Sequence, residues 1–133
     1  EVALASQDQE VEHSCFSDNT HRDVVANAKG IQNVWLGEYK RADGSTLTGA
    51  SLRDLVAAKN PALADRTSQQ IAASVAAAEG IQAPFDREIV GAKDAPGRLR
   101  VQKTIDSLVQ QSKDLVEAAN AAGITKLTLV KPK

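Results

Sequence analysis

The stretch Glu12-His13-Ser14-Cys15-Phe16-Ser17-Asp18-Asn19-Thr20-His21-Arg22-Asp23 holds both histidines, the only cysteine, three acids and several hydroxyls, a density matched nowhere else in the chain. The carboxylates of Glu12, Asp18 and Asp23 and the imidazoles of His13 and His21 are ligand types suited to zinc or iron. If the stretch is helical, the three-and-four rule sets His13, Ser17, Thr20 and His21 on one face and pairs Asp18 with Arg22 on the next strip. The spacing completes no recognised ligand set, because there is no HExxH, no paired CxxC and no histidine followed three residues later by glutamate. A metal site built here therefore needs donors from elsewhere. The competing reading is that Ser17, Asp18, Asn19 and Thr20 cap a helix, Asp18 pairs with Arg22 at the surface, and both histidines are solvated. A Cys15 nucleophile served by His13 is disfavoured, since adjacent helical residues point apart.

The elements that position this cluster follow from periodicity. Residues 1 to 11 are polar, with Val2, Leu4 and Val11 on a weak stripe that leaves their state open. Val24, Ala28, Ile31 and Trp35 fall at helical intervals and predict a helix from about Asp18 to Gly37, capped by Ser17, Asp18 or Thr20. Gly30 inside it suggests a closely packed neighbour or a kink. Residues 40 to 50, with Asp43-Gly44 and Gly49, read as a turn or short hairpin. Ser51 opens a short amphipathic helix bearing Leu52, Leu55 and Val56, which must stop near Asn60 because Pro61 disfavours helical geometry before it. Asn60 as cap and Pro61 as first residue then start a long helix with Leu63, Thr67, Ile71, Ser74, Val75 and Ala78 on one side, up to Gly80.

Pro84, Gly91, Pro96 and Gly97 confine Phe85 to Val90 to a short helix packed through Phe85 and Ile89. In the last helix Val101, Ile105, Leu108, Ser112, Leu115 and Ala119 form the expected core stripe, and Gly123 ends it. The tail from Ile124 to Val130 alternates weakly, enough to pair with a strand edge or lie over the bundle. These stripes predict an all-α, up-and-down helical bundle spanning residues 1–133 as one domain.

Composition bounds the partners. Sixteen basic residues against seventeen acidic ones give a net charge of −1, and the basic residues are scattered, which argues against nucleic acid. No apolar run approaches the roughly 20 residues of a membrane span, so membrane attachment would need an anchor outside this chain. One cysteine permits no internal disulfide. The chain has no methionine, so Glu1 is expected to follow a cut or an upstream segment.

EHSCFSDNTHRD, followed by NAKGIQNVWLGEY, resembles the second signature region of the imelysin family, which includes an insulin-cleaving metallopeptidase and iron-regulated periplasmic proteins. Gly30-Ile31-Gln32-Asn33, Gly37-Glu38-Tyr39, Gly49-Ala50-Ser51-Leu52 and Lys59-Asn60-Pro61 keep that family's order and approximate spacing. The resemblance implies two helical bundles joined face to face, with a GxHxxE motif in the N-terminal one. This chain has no GxHxxE, so the resemblance makes it the C-terminal half, and the N-terminal half a separate partner chain.

On that basis Ser17, Asp18, Thr20, His21 and Arg22 are the implied catalytic group, and Glu12, His13 and Asp18 the implied metal donors. The metal is a divalent ion, zinc or iron, not bound by this chain alone; the substrate is a peptide or protein, and the location the bacterial periplasm or outer membrane. Two other readings stand beside this one: a non-proteolytic protein that binds a metal or iron complex in iron uptake, and a purely structural bundle.

Overall fold

The computed structural model describes residues 1–126, and the expectation for the tail beyond Lys126 lies outside them. The chain is mostly helical. Six helices, α1 (Val2–Ser6), α2 (Thr20–Leu36), α3 (Leu52–Ala57), α4 (Pro61–Glu79), α5 (Phe85–Ile89) and α6 (Pro96–Ala121), are joined by a 3₁₀ turn at Gln9–Val11 and a hairpin of β1 (Glu38–Lys40) and β2 (Thr46–Thr48). Helix α4 is the central element, with α2 on one side and α6 on the other. Both neighbours run antiparallel to it. Lys29 pairs with Glu79 while Trp35 Nε1 donates to Ser68 Oγ, and Arg66 meets Glu117 while Gln70 meets Ser107.

The local signals in the sequence account for most boundaries. Ser51 Oγ accepts from Asp54 N–H at 2.9 Å and Asn60 Oδ1 from Leu63 N–H at 3.1 Å, so each helix start is satisfied by its own cap. Gly37 ends α2 at φ 65°, where an added Cβ would stand 2.7 Å from the carbonyl oxygens of Gly49 and Ala50. The hairpin pairs Tyr39 with Leu47 and turns through Gly44. Gly123, at φ 90°, closes α6, with Ile124 N–H reaching back to Ala119 O at 2.9 Å.

Three expectations are corrected. Helix α2 begins at Thr20, and its cap position is Asn19, whose side chain makes no capping bond. Gly30 has no atom within 4 Å of where a Cβ would lie, so it answers to no close neighbour. Helix α6 starts earlier than its apolar stripe, at Pro96, and is rotated relative to it. Its buried residues are Val101, Thr104, Gln111, Asp114 and Ala118, whereas Ile105, Leu108, Ser112, Leu115 and Ala119 are only partly covered.

The reason for the rotation lies in α4, whose α6-facing side carries Gln70 and Ser74 among its apolar residues. Ser74 Oγ lies 2.9 Å from Ser107 Oγ, and Gln70 Nε2 donates to both the Ser107 carbonyl and hydroxyl at 3.0 Å. Matching these groups turns the polar strip of α6 inward and leaves its leucines beside a groove toward Ile31 of α2.

Apolar packing falls into patches around that frame. Trp35, Val56, Leu63, Ala64, Ile71 and Ala118 fill one end, and Ala3, Leu4, Ile81, Phe85, Ile89 and Val101 the other. Of the short-helix stripe only Val56 is buried; Leu52 and Leu55 are exposed. Ile71→Ala should lower stability by about 2–5 kcal/mol, the range for emptying a fully buried aliphatic site. Gly30→Ala should raise it by about 0.5–1 kcal/mol, because a helix interior prefers alanine and space is free. Urea denaturation of the two variants measures both.

Candidate functional site

Residues 12 to 18 are not helical. After the 3₁₀ turn they form a succession of turns, ending in Asp18 at φ 49°, and only then does α2 begin. The common face expected for His13, Ser17, Thr20 and His21 therefore does not exist, and no Asp18–Arg22 ion pair forms among the described residues.

Local bonds hold the turns in place. Asp18 Oδ1 accepts from Gln9 Nε2, and Ser14 Oγ donates to Asp23 Oδ2. Ser14 N–H donates to Thr20 Oγ1 at 2.9 Å, so this threonine hydroxyl, itself buried, ties the loop to the helix start. Aspartate tolerates the left-handed backbone at 18 better than most residues. Gln9 was not singled out by its spacing. It lies nine positions before Asp18, outside any helical period, and only the turn brings them together.

The cluster is thereby divided. His13, Phe16, Ser17 and Arg22 are exposed, with the Phe16 ring wholly in solvent. Cys15 is a partly covered free thiol. His21 and Arg22 line a cavity of ≈ 460 Å³ with Asp23, Lys29 and Glu79, and the buried Nδ1 of His21 has no hydrogen-bond partner. Glu12 and His13 line a different, open cavity of ≈ 370 Å³ together with Glu1, with Thr20 and Val24 of α2, Phe85 of α5, and Val101, Thr104 and Ile105 of α6. Glu12 is 6 % exposed, and neither carboxylate oxygen has a partner. Thus two of the expected metal donors, Glu12 and His13, share a cavity, whereas Asp18 is bound to Gln9. Among the described residues no three His, Cys, Asp or Glu side chains come together to hold a metal.

The walls of the Glu12 cavity are fixed by two arginines of α6. Arg98 Nη1 donates to Leu4 O at 2.8 Å and also to Ile89 O, fastening α1 and α5 to α6. Arg100 grips the buried Glu88 carboxylate through Nε and Nη2 at 2.7 and 2.6 Å, a two-point contact that seats α5. Gly97 is required beneath it, since a Cβ there would stand 2.8 Å from Glu88 Cα. The Arg100 contact holds the Glu88 carboxyl below its ordinary value of 4.5, against the opposing effect of burial.

The family model described as Peptidase_M75: Imelysin matches residues 1–115, a span that includes the whole polar cluster. No curated protein matches the chain.

Because folding lowers the affinity of Glu88 for a proton, its stabilising contribution is complete above pH 4.5 and is lost as the pH falls through the depressed folded value. Arg100→Gln should reduce stability at neutral pH and remove this part of the acid sensitivity, as read by thermal melts between about pH 3 and 7. Asp18→Ala, which removes the Gln9 bond and strains the backbone, should cost about 1–3 kcal/mol. Asp18→Asn keeps an acceptor and a residue suited to that conformation, so denaturation should place it near the unaltered protein.

Proposed function

The chain belongs to the imelysin family of metallopeptidases, and on that premise we propose that it is the C-terminal half of a periplasmic or outer-membrane peptidase whose active site is completed by a GxHxxE-bearing N-terminal half. No described helix is long and apolar enough to cross a membrane, so an outer-membrane location would rest on an anchor outside this chain.

The observation that carries this reading is the division of the polar loop. It is held from below by the Gln9–Asp18, Ser14–Thr20 and Ser14–Asp23 bonds, yet it presents His13, Phe16 and Ser17 outward, with Arg22 exposed on the first turn of α2. A phenyl ring fully in water at the tip of a braced loop is what remains when the surface it packs on belongs to another body. The half-covered leucines of α6 beside the groove toward Ile31 support the same partner.

The family implies a divalent metal, and zinc or iron would suit the imidazole and carboxylate types present. The described residues of this chain do not gather a ligand set, so the metal is assigned chiefly to the other half, and no chemical step is routed through it here. This chain's part is to present His13 toward the interface and to hold Ser17 and Thr20 at fixed positions. Arg22, which has no acidic partner among the described residues, offers the charge that steadies an oxyanion, with His21 beside it in the same cavity.

Metal content and peptide cleavage should be measured for this chain, for the N-terminal half and for the two combined. Metal with cleavage only in the combination is expected. Metal retention without cleavage would instead favour a binding protein for metal or an iron complex. A combination that neither retains metal nor cleaves would leave the structural bundle. In the active combination, Arg22→Gln should lower kcat/KM by about 10²–10³, with the melting temperature unchanged.

A further inference from the structure

We propose that the Glu12 cavity is a subsite for an arginine or lysine side chain of the peptide substrate, an assignment that rests on the peptidase reading. Glu12 is buried, lines the cavity, and has no donor to either oxygen. A carboxylate removed from water is strongly disfavoured until a cation or several donors reach it. The two arginines that brace this end of the bundle are committed elsewhere, Arg98 to the Leu4 and Ile89 carbonyls and Arg100 to Glu88. Of the two cavity hydroxyls, Thr104 Oγ1 donates to Arg100 O and Thr20 Oγ1 accepts from Ser14 N–H, and neither makes a hydrogen bond to Glu12. His13 is an exposed lining residue and makes no hydrogen bond to Glu12.

The remaining walls decide what kind of cation fits. Val11, Val24, Phe85, Val101 and Ile105 are apolar, and the cavity has room, at ≈ 370 Å³, for an extended side chain. A metal ion needs several hard donors converging on it, and although Glu1, Glu12 and His13 all line the cavity, no three such side chains come together to hold one among the described residues. A basic side chain needs what is present: apolar surface along its methylene stem and a carboxylate at its head. A guanidinium can meet both Glu12 oxygens at once.

The test uses N-acetyl-arginine amide, N-acetyl-citrulline amide and N-acetyl-norleucine amide, titrated into the full chain and followed by NMR. Citrulline keeps the shape of arginine and removes its charge. Arginine should bind at least about thirtyfold more tightly than citrulline, the scale set by unpairing a buried charge. Glu12→Gln should erase that preference, and Glu12→Leu should raise the melting temperature, which shows that the fold survives loss of the carboxylate. Equal binding of the three probes, or an arginine preference that persists in Glu12→Gln, overturns the proposal. So does tight binding of zinc alone that Glu12→Gln abolishes, since Glu12 would then be a metal donor. Cleavage by the combined halves is scored separately. Arginine preference without any cleavage removes the peptidase reading and leaves the cation site, whereas cleavage without arginine preference removes the subsite alone.

Discussion

The polar seam between α4 and α6 sets the rotation of the last helix, and much of the remaining structure follows from that rotation. Ser74, Gln70 and Ser107 satisfy one another inside the bundle, and Thr67, Thr104 and Gln111 lie along the same buried line. Buried hydroxyls and amides are costly unless paired. The register that pairs Gln70, Ser74 and Ser107 therefore prevails over the one that would bury Leu108, Leu115 and Ala119 most deeply, even though Thr67 Oγ1 and Gln111 Oε1 on the same line find no partner. One consequence is the open groove between α2 and α6. Another is that Val101 and Thr104 face the end of the bundle where α1, α5 and the polar loop converge, and so supply one wall of the Glu12 cavity.

The cavity depends on a second set of constraints, in which charged side chains reinforce the apolar patch of Leu4, Phe85, Ile89 and Val101. Helices α1 and α5 each span only five residues, too short to persist without tertiary support. They are held because Arg98 takes carbonyls from both, and because Arg100 and Glu88 form a two-point contact over Gly97. With that end of the bundle braced, the loop from Glu12 to Asp18 has a fixed floor. It can then keep one carboxylate buried without a partner while turning its aromatic tip outward. An arrangement of that kind is unfavourable for the isolated chain, and concentrating such cost at one place is how proteins commonly prepare a site for a ligand or partner.

Within the cluster, composition gave the location and little of the geometry. The gathering of His13, Asp18, His21 and their neighbours in one short stretch correctly marked where polar side chains crowd. The inference of a common helical face failed because Asp18 is left-handed and Gln9 reaches back to it, and neither leaves a mark in side-chain periodicity. The pairing expected between Asp18 and Arg22 failed for the same reason: a break in the helix between them removes the one-turn spacing it required. Glu12 was read by its chemical type as a metal donor, but its burial inside an apolar-walled cavity depends on α5 and α6, more than seventy residues away.

What the sequence determined by itself is what depends on neighbours within a turn or two. Ser51 and Asn60 as caps, Pro61 at a helix start, Gly37 and Gly123 at helix ends, Asp43-Gly44 in the hairpin and the stripe of α4 are all local matters of dihedral preference and hydrogen-bond reach. What only the tertiary structure decided is which face of α6 turns inward, which acid is left unpaired, and which cluster residues look outward. Those outcomes depend on polar groups far apart in the chain meeting or failing to meet, and spacing along a single strand of sequence carries no measure of that distance.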